Sequence, residues 1–158
     1  MHRILSRLAL AAAIVLFVTL SAFAAETTAP KAAPPQAGAN AVLIPAGDLK
    51  WNDVPDFPGV KMALVHGDPN TGPSDFFMKL PAGFSAPLHF HDPDHWVAVV
   101  SGTVMLAPEG AAEKTLPPGS GFGFTGKKNH TTKCAAGADC VLFIDARGKW
   151  DVIPIAKK

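Results

Sequence analysis

Four histidines carry the most chemistry in this chain. His89 and His91 stand either side of one residue, His95 follows after three more, and His130 lies in a separate segment. On a strand, side chains at i and i+2 project from the same face, so His89 and His91 place two imidazoles side by side. Asp92-Pro93-Asp94 then turns the chain, and His95 opens the next strand, where it can come back over the first pair. His130 begins a later strand after the Gly126-Lys127-Lys128-Asn129 loop. Neutral imidazole is the commonest protein ligand for Zn, Cu, Fe and Ni. Three or four converging histidines would hold one divalent transition metal ion, with Fe, Zn, Cu, Mn and Ni all compatible. One His-x-His on a solvated strand would mean little; the weight comes from four histidines together. His66, before Gly67-Asp68-Pro69, reads as a turn residue rather than a ligand. The chain has no Gly-rich phosphate loop, no Ser/His/Asp order and no reactive-cysteine context, so no catalytic residue is assigned beyond the metal positions.

Short strands are the elements that must position these histidines. The 158 residues are 48% hydrophobic and 17% charged, with fifteen Pro and fourteen Gly. That composition excludes a disordered chain. It favours many turns over long helices. Apolar runs at 61–65, 76–80, 88–91, 96–100, 103–106, 121–124, 130–134 and 141–145 are each closed by Gly or Pro clusters, which predicts an all-β sandwich or small barrel. Residues 51–58 read as loop or edge. Alternation alone leaves open which of Phe76 or Phe77, Met78, Phe90, Phe122, Phe124 and Phe143 line a site and which fill the core. Cys134 and Cys140 flank Ala-Ala-Gly-Ala-Asp, which looks like a hairpin loop; in an oxidising compartment the pair should form a disulfide, the alternative being two reduced thiols. The formal charge is +1 and the basic residues form no run, which argues against nucleic acid as a partner.

The first 40 residues read as an address and a tether. Arg3 and Arg7 precede a thirteen-residue apolar stretch at 8–20, and Ala22-Phe23-Ala24 supplies small residues for a signal peptidase. The apolar core is shorter than the roughly 20 residues of a spanning helix. Residues 1–24 are therefore expected to be a cleaved signal peptide, leaving no stable membrane anchor and a periplasmic or secreted protein. Residues 25–40, rich in Ala and Pro, are expected to be a flexible linker, and residues 41–156 the folded domain.

The segment Gly83-x5-His89-x-His91-x3-His95-x6-Gly102 resembles the first cupin motif, G-x5-H-x-H-x3,4-E-x6-G, with His95 where the family has Glu. Gly119-x5-Thr125-x-Lys127-x2-His130-x3-Cys134 is similar to the second motif, G-x5-P-x-G-x2-H-x3-N, keeping the first Gly and the His. The Leu-Pro-Ala-Gly lead-in and Val-Ser-Gly turn are similar to cupin domains attached to zinc-dependent anti-sigma factors. The resemblance implies an antiparallel jelly-roll barrel of about six to eight strands. It also implies metal positions at His89, His91, His95 and His130.

Replacing a carboxylate by His95 leaves the full charge of a divalent ion and removes an internal base. Such a site would polarise a bound oxygen strongly and attract an enolate or carboxylate. His95 could also stand aside, leaving three ligands and open positions. Asp92 and Asp94 could orient histidines but read more simply as turn residues. Arg147 could meet an anionic substrate, solvent being its simpler neighbour. The resulting expectation is an exported mononuclear metal-binding cupin, a dioxygenase-type enzyme on a small enolisable or anionic substrate. The alternative is a non-enzymatic metal- or ligand-binding or sensing module. A homodimer through an edge strand is compatible with the resemblance.

Overall fold

A computed structural model describes residues 41–156. The expected signal peptide at 1–24 and linker at 25–40 lie outside the described residues. A short 3-10 turn, Ala46–Asp48, precedes eleven strands: β1 (Asn52–Asp53), β2 (Lys61–Gly67), β3 (Ser74–Leu80), β4 (Ser85–Phe90), β5 (His95–Ser101), β6 (Val104–Pro108), β7 (Lys114–Leu116), β8 (Gly121–Phe124), β9 (His130–Cys134), β10 (Cys140–Ala146) and β11 (Ile153–Pro154). They form a six-stranded sheet in the order β1-β2-β3-β10-β5-β8 and a five-stranded sheet in the order β11-β4-β9-β6-β7. Every pairing is antiparallel. The all-β expectation holds, and the two sheets are those of a jelly roll.

The strands form because their sequences alternate. In β10, Cys140, Leu142, Ile144 and Ala146 are buried while Val141, Phe143 and Asp145 are only half-buried. In β5, His95, Val97 and Val99 are buried and Trp96, Ala98 and Val100 exposed. These inward rows meet Phe76 and Leu80 of β3 and Val104 and Leu106 of β6 in one core. Each fully buried Val, Leu, Ile or Phe there contributes about 1.5–3 kcal/mol relative to exposure.

The strand count exceeds the six to eight that the resemblance implied. The excess is three short pieces at the sheet edges or next to them: β1, β7 and β11. β1 falls in the segment expected to be loop or edge. β7 and β11 have no apolar run to announce them, since Lys114 and Thr115 are exposed and β11 is two residues long.

The turn between the cysteines needs a larger correction. Cys134 ends β9 in the five-stranded sheet and Cys140 begins β10 in the six-stranded sheet, so the intervening loop is no hairpin. The disulfide between them, with Cα atoms 5.8 Å apart, staples the two sheets together. Beside it, Gly102 has φ +74°, and a Cβ there would lie 2.7 Å from Cys140 Cα and 2.6 Å from the Asp139 carbonyl oxygen. The last glycine of the first motif is therefore required by the stapled turn as well as by its own left-handed backbone.

The outer face of the six-stranded sheet accounts for two of the candidate lining residues. Phe77 and Phe143 pair there edge-to-face at 5.2 Å, pointing away from the core that Phe76 enters. Among the described residues no helix is long and apolar enough to cross a membrane.

Candidate metal centre

All four motif histidines are buried, with exposures of 4% for His89, 6% for His91, 2% for His95 and 2% for His130. Three strands and one turn bring them together. β4 ends just before His91, β5 opens on His95, and β9 opens on His130, the direct cross-strand partner of His89. The ring centroids of His89 and His91 are 5.0 Å apart, those of His89 and His130 4.4 Å, and those of His91 and His95 4.6 Å. His89, His91 and His130 each offer a ring nitrogen within 4.8 Å of the others, a spacing that could hold one metal ion. His95 lies beside this group, its centroid 6.1 Å from that of His130.

The backbone sets the tautomer of each ring. His89 Nδ1 donates to the Pro87 carbonyl at 2.7 Å, His130 Nδ1 to Lys128 at 2.8 Å and His95 Nδ1 to Pro93 at 3.3 Å. His91 Nδ1 donates to the Asp151 carbonyl. A carbonyl only accepts, so the Nδ1 proton is held and the lone pair of each neutral ring sits on Nε2. Metal-binding histidines are commonly oriented by such a bond on the other nitrogen. Burial also favours the neutral form. It pushes His91 down to about 2, against the backbone bond to Asp151 and with the neighbouring histidines adding to the depression. It pushes His130 down to about 4, and lowers His89 and His95 in the same sense. At neutral pH the site is a set of uncharged nitrogen donors, the donor set that suits a transition metal ion.

Aromatic rings hold the imidazoles from the outside. Phe124 stacks on His130 at 4.0 Å with 7° between planes. Trp150 stacks on His91 at 4.2 Å and meets His95 edge-on at 5.3 Å. Sequence reasoning missed Trp150 and the Asp151 carbonyl. They follow the last apolar run, and only the fold carries them back to His91. Phe124, Phe122 and Met78 were candidates, and the structure places Phe122 and Met78 in the lining of a cavity of about 550 Å3 that also exposes all four histidines.

The remaining candidates lie elsewhere. Asp92 pairs with Lys127 at 3.0 Å, and Asp94 accepts the Gly126 N–H at 2.8 Å. They tie the turn before His95 to the loop before His130, and neither bonds a histidine among the described residues. His66 lies inside β2 rather than in a turn, 3.8 Å from Asp75 and solvent-facing. Arg147 pairs with Asp145 at 2.6 Å and lies over Trp96, outside the cavity lining.

A two-sheet antiparallel jelly roll with histidines converging between its sheets defines a cupin. Solved structures agree with that class. The polyketide cyclase RemF from Streptomyces resistomycificus is 17% identical with a TM-score of 0.63, covering 73% of this chain and 86% of its own. KdgF from Halomonas sp. is 22% identical with a TM-score of 0.54, covering 66% and 93%. An RmlC-like cupin from Ralstonia eutropha JMP134 is 25% identical with a TM-score of 0.57, covering 69% of each chain. No curated protein matches the sequence. Within the cupins, the chain belongs to the family described as Domain of unknown function (DUF4437), which it matches over residues 21–153.

Proposed function

We propose that this protein is an exported mononuclear metallocupin, an enzyme of the oxygen-dependent dioxygenase type acting on a small enolisable molecule held in the cavity. The observation that carries the reading is the group of three buried histidines within 4.8 Å, facing a cavity of about 550 Å3. Catalytic metal sites keep an open position, whereas structural ones are closed. Three ligands with a cavity on one side fit the open kind. His89, His91 and His130 would hold the ion, which when bound supplies Lewis-acid and redox chemistry toward a substrate oxygen.

The chain's own residues supply the rest. Carbonyls of Pro87, Asp151 and Lys128 hold the three Nδ1 protons and so keep Nε2 available. His95, its Nδ1 proton held by Pro93, retains a lone pair on Nε2 that can accept a hydrogen bond from a substrate hydroxyl. Phe124 and Trp150 pack against the imidazoles, which are almost fully buried, and so limit their contact with bulk water. The apolar stretch at 8–20 with Ala22-Phe23-Ala24 supports export, and the disulfide is compatible with an oxidising compartment.

Elemental analysis of the exported protein beside His91→Ala and His95→Ala variants tests the reading. About one redox-active metal ion per chain, lost in His91→Ala and retained in His95→Ala, is the expected result. Zinc lost in both variants would overturn the enzyme in favour of a closed binding or sensing site. No bound metal after each candidate ion is supplied would overturn the metallocupin altogether.

A further inference from the structure

We propose that the side chains lining the cavity, apart from any ion that the histidines hold, favour uncharged or cationic apolar molecules over anions. The inference rests on reading the cavity as the ligand site of the histidine cluster, and deepens that reading by naming the charge and polarity of what enters.

The lining is one-sided in charge. Apart from the histidines, its charged residues are Asp53, Asp56, Asp68 and Asp151, and it includes no Lys or Arg. Lys61 pairs with Asp53 at 2.6 Å, which neutralises that carboxylate and leaves the charge of the lining to Asp56, Asp68 and Asp151. Outside the lining, Lys127 pairs with Asp92 at 3.0 Å and Arg147 with Asp145 at 2.6 Å. Asp68 is fixed by its own turn, accepting from the Asn70 N–H at 2.9 Å and the Thr71 hydroxyl at 3.0 Å. Those bonds, the Asn70 N–H first, hold its carboxyl below the usual range and keep it ionised. Asp151 accepts the Asp92 N–H at 2.9 Å while its carbonyl holds His91, so this carboxylate is anchored next to the cluster.

Inside the acidic residues the walls are apolar: Met62, Met78, Phe122, Leu142 and Ile144. In the metal-free cavity a carboxylate would lose its hydration with no cationic side chain to replace it, and would pass a field of its own sign. An amide, ketone or alcohol meets no such barrier, and an ammonium group at the acidic residues meets an attraction. The ligand that these side chains favour is neutral on entry and carries an oxygen that can reach the histidines.

Three probes of one shape and different charge test this: 2-phenylethylamine, phenylacetamide and phenylacetate. Each is titrated into the full exported protein, metal-loaded and again after chelation. Binding is read by calorimetry and by the fluorescence of Trp150, which of the three tryptophans is the one in the lining. In the chelated protein the amine and the amide should bind at least about tenfold more tightly than phenylacetate, a ratio in the range of electrostatic focusing in clefts. An Asp56→Asn/Asp68→Asn variant should narrow the gap between amine and phenylacetate severalfold and leave the amide unchanged. Phenylacetate binding as tightly as the amide, a gap untouched by the variant, or no binding of any probe would each overturn the inference. Tight phenylacetate binding confined to the metal-loaded protein would support the metal centre and, with the order in the chelated protein intact, the preference of the side chains as well. Absence of metal with the probe order intact would overturn the metal centre alone.

Discussion

At residue 127 the backbone turns left-handed, with φ 53°, and Lys127 is the one non-glycine among the described residues to do so. The second cupin motif has glycine at this position, and a Cβ there carries a cost of about 1–2 kcal/mol per residue. Part is offset by the ion pair to Asp92 at 3.0 Å, a half-exposed contact of about 0–1 kcal/mol. The two contributions separate experimentally, because Lys127→Ala loses the pair and keeps the strained backbone, while Lys127→Gly loses the pair and relieves it. Lys127→Gly should be more stable than Lys127→Ala by about 1 kcal/mol in urea titration. Equal stabilities would mean that the loop relaxes around alanine and that φ at 127 carries no strain. The departures from the motif at His95 and Lys127 were visible as letters, but their consequences depended on backbone angles and ring neighbours. His89 and His91 were legible because a two-residue spacing along an extended segment fixes a shared face, and His130 because it keeps its place in the second motif. Trp150 was not, because its stacking on His91 crosses 59 positions of chain and leaves no local pattern.

At the level of elements, the strands with clear alternation were legible and the joints between them were not. The run at 130–134 coincides with β9, and that at 141–145 falls within β10, yet the segment between them looked like a hairpin. Two short apolar runs flanking a five-residue loop carry no information on whether they pair with each other or with other strands. Here they join different sheets, and Cys134–Cys140 fastens the corner. Closing so short a loop restricts the unfolded chain only modestly, so a Cys134→Ser/Cys140→Ser variant should lose about 2 kcal/mol in the chain-entropy account. Unfolding by urea with and without reductant gives the same comparison in the native sequence. A loss well above that figure would mean that the folded corner, and not the unfolded chain, is what the bond acts on. The packing at the same corner, where both cysteines are buried and Gly102 lies close against Cys140, makes that distinction worth measuring.

For the whole molecule, four neutral histidines gathered between two sheets make folding depend on pH in a definite direction. In the unfolded chain each histidine takes a proton near 6.5. In the folded protein burial holds all four below that value, His130 at about 4 and His91 at about 2. Well above 6.5 both states are neutral and the full stability is present. As pH falls below 6.5 the unfolded chain binds protons that the folded chain refuses, so stability falls. The loss from His130 continues to about 4 and that from His91 to about 2. Urea midpoints of the metal-free protein should therefore drop steadily between pH 7 and 5, a window in which most carboxylates stay ionised. A His130→Gln variant should show a shallower drop, because one of the proton-refusing groups is gone. A flat profile in the wild-type protein would mean that the folded site admits protons, contrary to burial. It would also mean that protons compete for the metal positions near neutrality, since a ring must be neutral to ligate. The outcome bears on the site as a whole: rings kept neutral by the fold are already in the form an ion requires.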